Sequence, residues 1–402
     1  MSNVESKKLG DILNLKRGYD LPSYEREDGL YPIFSSSGIS GYHSQYKADG
    51  EGVVIGRYGT LGEPYYVNGK YWPHNTSLYV TDFKGNSPKY VYYLLKCLGD
   101  IKTSDKSTVP GVNRNELHEM SVPFVTIREQ QDKIAAVLSA LDAKIEVNSR
   151  INAELESLAK TIYDYWFVQF DFPFDFAQGK PSADGKPYKS SGGEMVYMKE
   201  GKGDQAIPAG WELKRLSYFC NKIGDGIHGT PEYVDGSSYH FINGNNLKNG
   251  FIEISHDTKN VSSDEYQKYF TELNEETILL SINGTLGNLA LYTGEKVMLG
   301  KSAAYINCKN KYRPYCYQFL KLEHIQKKLW NISTGSTIKN LSLESIKNIL
   351  VLFPSANLIE QYYELTEPLD NKRKNIFREN QQLTQLRDWL LPMLMNGQVS
   401  IK

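Results

Sequence analysis

Ile127-Arg-Glu-Gln-Gln-Asp-Lys-Ile134 opens the stretch that decides the fold, which runs on to Phe167. Apolar residues then recur at steps of four and three. Ile134, Leu138, Leu141, Ile145, Leu155, Ala159 and Ile162 fall on this seam, with Asn148 and Asn152 as its polar members. Such steps average about 3.5 residues, the period of a helix that packs lengthwise on another helix. Roughly 38 residues at ~1.5 Å each make a helix about 57 Å long. A small domain cannot bury a helix of that length, so it needs a partner.

Residues 358–391 supply one. Tyr362, Leu369, Ile376, Leu383 and Leu390 repeat at heptad spacing. At one constant offset Leu141-Asp142 falls on Leu369-Asp370, Asn152 on Asn380, and Leu155 on Leu383. The alternate positions, Thr366, Arg373, Asn380 and Arg387, are polar. This second seam is therefore weak alone and must lean on the first helix or on another protein. Pro368 predicts a kink or a fresh helix start, because proline lacks the donor and clashes with the preceding turn. The shared spacing, the Leu-Asp pair and the matched Asn argue against two unrelated amphipathic surface helices.

The 402 residues allow two or three domains, and an apolar content of 40% supports sizeable cores. With 46 basic and 47 acidic residues, bulk charge does not announce a nucleic-acid partner, although local basic patches can be offset elsewhere. Cys97, Cys220, Cys308 and Cys316 have neither zinc spacing nor disulfide-scaffold density. No apolar run reaches transmembrane length and no charged-then-apolar leader opens the chain. The expectation is a soluble cytoplasmic protein of a reducing compartment. The 29 tyrosines suit wet interfaces, where one end of the ring packs and the other hydrogen-bonds.

Taken in order, residues 1–125 read as a β-rich domain. Pro32-Ile-Phe-Ser-Ser-Ser-Gly38 follows a turn at Asp28-Gly29, and Val53-Val-Ile55 is a short buried strand ended by Gly59-Thr-Leu-Gly62. Asn68-Gly69, between Tyr65-Tyr-Val67 and Tyr71-Trp72, predicts a hairpin. Ser87-Pro88 starts a helix to about Leu98, with proline at its tolerated first position, and a polar loop spans 104–115. The first long helix occupies 126–170. Residues 171–210 hold seven glycines and four prolines, too many for regular structure. Phe172, Phe174, Phe176, Tyr188 and Tyr197 run through them, so an extended arm lying on a surface is expected rather than a free tether.

Residues 211–354 then repeat the first domain. Trp211-Glu-Leu-Lys-Arg-Leu216 answers Lys8-Leu-Gly-Asp11, Thr277-Ile-Leu-Leu280 answers Val53-Val-Ile55, and Gly284-Thr-Leu-Gly287 answers Gly59-Thr-Leu-Gly62. Lys301-Ser-Ala-Ala-Tyr-Ile306 answers Asn75-Thr-Ser-Leu-Tyr-Val80, and Arg313-Pro314 starts a helix to about Trp330. Thr334-Gly-Ser-Thr-Ile338 answers Ser107-Thr-Val-Pro-Gly111, and Ile359-Glu-Gln361 echoes Arg128-Glu-Gln130. The second long helix occupies 355–402. One unit is used twice, and a repeat of this size outweighs any single motif. The fold class is α+β: two similar β-rich domains, each followed by a long helix, with the helices packing as an antiparallel coiled-coil pair.

No catalytic constellation emerges. Gly224-Asp-Gly-Ile-His-Gly229 fits a dinucleotide fingerprint in letters, but Thr230-Pro231 reads as a turn where a helix must start. Five residues separate Gly294 from Gly300-Lys301-Ser302 where a phosphate-cradling loop needs four. The seven histidines show no helical pair, so no metal site is indicated. What remains is polar, small and aromatic residues on turns. Ser35, Ser36, Ser37, Tyr42, Arg57, Tyr58, Thr60, His74, Asn75 and Thr76 cluster in the first domain. Asp225, His228, Thr230, Tyr233, Asn243, Asn245, Asn246, Asn283, Thr285, Lys301 and Ser302 cluster in the second. Arg, Asn, Ser and Thr read base edges and grip phosphates, although the same types also build turns. For the set, duplication at matching positions favours binding; these are the candidate DNA-contacting residues if the ligand is a nucleic acid. On the helices, Leu138, Leu141, Ile145, Asn152, Leu155, Leu369, Ile376, Asn380, Leu383 and Leu390 are the candidate coiled-coil and partner-docking residues.

This order of features resembles the specificity subunit of type I restriction–modification systems over essentially the whole chain. The resemblance rests on the duplicated domain-plus-helix order, residues 32–38, the two Gly-Thr-Leu-Gly turns, Gly226-Ile-His-Gly-Thr-Pro231, the Glu-Gln helix openings and Trp166-Phe-Val-Gln-Phe170. It implies two target-recognition domains, each reading one half of a split double-stranded DNA site. It also implies helices that dock two modification subunits, which bind S-adenosylmethionine and methylate adenine, with ATP- and Mg-using restriction subunits joining afterwards. No cofactor is expected on this chain itself. A duplicated carbohydrate- or protein-binding module is the competing reading.

Overall fold

The computed structural model describes residues 4–57, 63–98, 113–198, 205–335 and 339–401. The chain forms two compact units, residues 1–149 with 379–402, and residues 150–378.

In the first unit, strands Asn14–Arg17, Ser77–Asp82, Glu51–Gly56 and Pro64–Asn68 form one antiparallel sheet in that order. A second sheet has the order Gly38–His43, Tyr31–Ser35, Trp72–Pro73, and its last pair is parallel. Glu51–Gly56 is buried from Gly52 onward, which is why it reads as a continuous apolar run rather than an alternating one. Val53 and Ile55 join Leu15, Leu78 and Val80 against Tyr90, Val91, Leu94 and Leu95 of helix Pro88–Cys97. A short sheet pairs Val4–Lys8 with Ser121–Val125. Ile134, Ala135 and Leu138 of the first long helix and Leu391, Leu394 and Met395 of the second complete this core. The Glu-Gln opening has a specific task. The fully buried Gln131 side chain accepts from Ser87 N–H at 2.9 Å and donates to Val125 carbonyl at 2.8 Å, so it satisfies backbone groups where helix meets sheet.

The second unit repeats this topology. Cys220–Asp225, Ala303–Cys308, Thr277–Ser281 and Leu289–Leu291 stand in the same order, and Gly250–Ile252 and Leu247–Lys248 extend the sheet. The second sheet again has three strands, Asn260–Val261, Tyr239–Ile242 and Val297–Leu299, with the last pair parallel. Glu212–Arg215 pairs with Leu350–Phe353. The registers agree in detail. Val54 opposes Tyr79 as Leu279 opposes Tyr305, and Leu9 N–H donates to Met120 carbonyl as Leu216 N–H donates to Ile349 carbonyl, both at 2.8 Å.

The long helices are Arg128–Tyr163, ending in a π-helical turn Asp164–Val168, and Ala356–Met395. Within the first unit Asp142 meets Arg387 at 2.8 Å, and Asn148 Nδ2 donates to Asn380 Oδ1 at 2.9 Å. Within the second, Arg373 meets Glu156 at 3.1 Å, and Tyr362 hydroxyl approaches Ala159 carbonyl at 3.5 Å. Residue numbers rise on one helix as they fall on the other, so the pairing is antiparallel. The polar seam of the second helix leans on the first: Thr366 and Arg373 are each 1% exposed.

Several expectations need correction. Asn68-Gly69 does not close a hairpin. Pro64–Asn68 pairs with Glu51–Gly56, whereas Trp72–Pro73 joins Tyr31–Ser35 in the other sheet. Gly69, at φ +116°, ends one strand so that the chain can cross to the other. Of residues 171–210, the described ones, 171–198 and 205–210, form short paired strands rather than an extended arm. Pro173–Asp175 pairs with Lys180–Pro181 and Lys186–Pro187, and Met195–Met198 with Gln205–Pro208. Strands this short fit between the glycines, and buried Phe172 stacks on Tyr188 at 4.7 Å and Trp211 at 5.5 Å, supplying the burial that holds them. The second long helix runs through Pro368 without a new start. Proline's fixed φ is compatible with helix and removes one donor, and buried Thr366, Asp370 and Arg373 hold the flanking turns. The helix begun at Arg313 stops at Lys321 and restarts at Glu323. The polar loop at 104–115 is helical from Arg114, and its residues 104–112 lie outside the described residues. So do the first Gly-Thr-Leu-Gly turn and residues 107–111 and 336–338 of the matched loops.

Candidate nucleic-acid interface

In the first unit the two sheets end together at one rim. His74 N–H donates to Phe34 carbonyl at 2.8 Å, and Arg57 N–H and Ser36 Oγ both donate to Thr76 carbonyl, at 3.0 and 2.5 Å. These bonds bring Ser35, Ser36, Ser37, Arg57, His74, Asn75 and Thr76 into one cluster. His74 Nδ1 lies 3.0 Å from Thr76 Oγ1, and burial, with the positive charge of Arg26, holds its imidazole below the ordinary histidine range. Tyr42 is exposed and opposes Pro32, towards the other end of its hairpin from the Ser35–Gly38 turn. Tyr58 and Thr60 lie outside the described residues.

The same rim holds residues that the sequence reading passed over. Arg17 ends its strand, forms an ion pair with Asp20 at 3.7 Å, and donates through Nε to Asn75 carbonyl at 3.4 Å. Asn75 Nδ2 donates in turn to Asp20. Tyr19 bridges His74 and lies under the Lys16 and Lys47 ammonium groups, at 5.3 and 5.8 Å from its ring centroid. The signal in the sequence was the basic doublet Lys16-Arg17 before Gly18-Tyr19.

In the second unit the corresponding rim gathers Asp225, His228, Asn243, Asn245, Asn246, Asn283, Thr285, Lys301 and Ser302. Several of these side chains hold the turns themselves. Asn243 and Asn246 form a reciprocal capping box around 244–246. Ser302 Oγ donates to Asn243 Oδ1 and accepts from Gly244 N–H, both at 2.9 Å, and Thr285 Oγ1 lies 2.9 Å from Ser281 Oγ. Asn283 is tied through its backbone to Asn340. His228, Thr230, Asn245 and Lys301 are exposed to solvent. Tyr233 bridges Val261 and packs 5.9 Å from Phe241, near the opposite end of its sheet from the rim.

Gly226 also has its explanation here. A Cβ on it would lie 2.0 Å from Leu299 carbonyl oxygen, and one on Gly18 2.2 Å from His74 carbonyl oxygen. Both glycines let the backbone pass the second sheet, and no helix starts in 224–229 to receive a phosphate. Among the described residues no group of three or more His, Cys, Asp or Glu is placed to hold a metal, and no helix is long and apolar enough to cross a membrane.

Two copies of one β-rich module, each with a rim of amides, hydroxyls and charges and each joined to a long helix, define a duplicated recognition protein. Residues 1–157 and 208–385 match the type I restriction modification DNA specificity domain, and the chain belongs to that family. It is 28% identical over 330 residues to the type I restriction enzyme MjaIX specificity subunit of Methanocaldococcus jannaschii, across 78% of this chain and 69% of that protein. It is 25% identical over 346 residues to the HindI specificity subunit of Haemophilus influenzae, across 74% and 73% of the two. In fold it is similar to the S subunit of a type I system from M. genitalium, with TM-score 0.58 and 18% identity over 98% of this chain and 96% of that one. The chain is therefore a DNA sequence-recognition subunit of a type I restriction–modification complex and is non-catalytic, as its family is. At the family level its partners are DNA, methyltransferase subunits and translocase/nuclease subunits.

Proposed function

We propose that each unit reads one half of a bipartite double-stranded DNA target through its rim, while the long helices set the gap between the halves and dock two modification subunits. The observation that carries this reading is the repeat: one strand order, occurring twice, with a polar rim at the same place in each. Pseudo-symmetric proteins suit split sites. The formal net charge of −1 supports a division of labour in which partner subunits supply much of the phosphate affinity. S-adenosylmethionine, ATP and Mg then belong to those partners, and the complex works in the cytoplasm, where its DNA is.

Replacing residues 211–353 with the corresponding domain of a relative tests this. Methylation mapping of the assembled complex is expected to show one half of the target changed and the other kept. A change in both halves, or in neither, would remove the modular reading. The pure chain incubated with DNA and S-adenosylmethionine, or with DNA, ATP and magnesium, is expected to leave the DNA unmodified and uncut.

A further inference from the structure

The two rims share a pair of positions that hold a guanidinium and a carboxylate in the first unit and a carboxylate and an imidazole in the second. Arg17 opposes Leu78 at the end of Asn14–Arg17, and Asp225 opposes Ala304 at the end of Cys220–Asp225. One residue later come Gly18 and Gly226, each against the carbonyls of the second sheet. Next, Tyr19 bridges His74 in parallel as Ile227 bridges Gly300. Counting on from these shared points, Arg17 is equivalent to Asp225, Asp20 to His228, and Asn75 to Lys301. In the first unit the cation comes first, with Arg17 Nη2 3.7 Å from Asp20. In the second the carboxylate comes first, with Asp225 2.9 Å from His228 Nε2.

Equivalent positions vary elsewhere too, as Tyr19 against Ile227 and Asn75 against Lys301 do, whereas Arg17 against Asp225 reverses the formal charge. Thr76 and Ser302 both present a hydroxyl, Tyr79 and Tyr305 are identical, and Val54 and Leu279 are both apolar. Stability does not account for the Arg17–Asp20 pair. The Arg17 and Asp20 side chains are 56% and 73% exposed, and an ion pair in such a setting contributes little; His228 is 74% exposed and Asp225 22%. Two equivalent positions at the polar rim that carry opposite formal charge, exposed Arg17 in one unit and half-buried Asp225 in the other, are placed to discriminate between targets.

We infer that these positions determine specificity, on the reading that each unit recognises one half-site. Arg17 donates its guanidinium fork to O6 and N7 of a guanine in the half-site of the first unit. Asp225 accepts from N4 of a cytosine in the half-site of the second. Both contacts are major-groove pairings that match these side chains by geometry. Asp20 and His228 steady them from three residues away.

The test uses the full chain assembled with its methyltransferase subunits and a DNA library randomised across the target. Arg17→Gln is expected to reduce the preference for guanine at one position of one half-site by about 5- to 150-fold and shift it towards adenine, which glutamine pairs with. Asp225→Asn is expected to relax one cytosine of the other half-site, with every other position kept. Arg17→Lys keeps the charge but not the fork, and is expected to lose the guanine preference too. An even loss of methylation across all sequences, with a salt slope shallower by about one, would assign Arg17 to a phosphate and overturn the inference. Unaltered base preferences in all three variants would overturn it as well. The chain with 211–353 replaced separates the two levels. If that replacement changes one half while the point variants change nothing, only this inference falls. If it changes neither half, the half-site reading falls and takes the inference with it.

Discussion

The buried charges of the helix pair are the residues on which stability depends most. Asp370 lies 3.0 Å from Arg313 and 3.5 Å from Arg373, and all three side chains are at most 5% exposed. Removing the carboxylate takes from the desolvated Arg313 its ion pair at 3.0 Å and leaves Arg373 with Glu156. Asp370→Ala is therefore expected to lower the unfolding free energy by about 3–5 kcal/mol, read by urea denaturation. His118 predicts a pH dependence. Its Nε2 accepts from Leu15 N–H at 3.0 Å, and burial, helped by the charges of Arg114 and Lys84, lowers its pKa from 6.5. The unfolded chain thus takes up the proton first, so this contribution is complete above about 6.5 and is lost as pH falls towards the folded value. Thermal scans between pH 7.5 and 5 are expected to show the wild-type Tm falling faster than that of His118→Gln. Neither feature was legible in the sequence, because Asp370 read as half of a matched Leu-Asp pair and His118 as one of seven scattered histidines. Residue types on turns pointed to the rims. They could not separate Asn243 and Ser302, spent on holding a turn, from exposed Lys301, since both uses favour the same small polar side chains.

At the scale of elements, the helices form polar rungs: Asp142 with Arg387, Asn148 with Asn380, Glu156 with Arg373. Polar residues inside a helix seam fix register, because a shifted pairing strands them. Asn380 also donates to Ile145 carbonyl at 3.3 Å and Ser149 Oγ at 3.2 Å, so the rung is reciprocal. Asn380→Leu is expected to cost about 1–3 kcal/mol by leaving buried groups unpaired. In a double-mutant cycle with Asn148→Leu, a coupling of about 0.5–3 kcal/mol is expected, and a smaller value would mean that the rung does not act as a unit. The seam was legible because heptad spacing survives any choice of surface residues. The partner of each rung was not: Asn152 and Asn380 match along the repeat, but antiparallel pairing brings Asn148 to Asn380 instead. Local turn chemistry likewise misread Asn68-Gly69, where tertiary pairing of Trp72 with Ile33 takes the chain away from a hairpin.

For the whole molecule, the repeat was the most legible feature, since topology preserved over two copies leaves matched residues along the entire chain. If the helices set the gap between half-sites, lengthening both of them should widen it. Four residues inserted after Ser149 and four after Arg378 keep the outer rungs in register and add about 6 Å to each helix. At ~3.4 Å per base pair the gap is expected to grow by one or two base pairs while both half-sequences are kept, as methylation mapping would read. An unchanged gap in an active complex would free the helices of that role. The division of the chain also bears on how it is made. The second unit is continuous, residues 150–378, whereas the first needs 379–402 as well as 1–149. Leu391, Leu394 and Met395 enter a core whose other members left the ribosome long before. A chain cut after Arg378 keeps every residue of the second unit, while the first lacks the last helical turns that cover Ile134 and Leu138. Such a fragment would hold a complete second module and an unsealed first one, the part a chaperone or protease would meet.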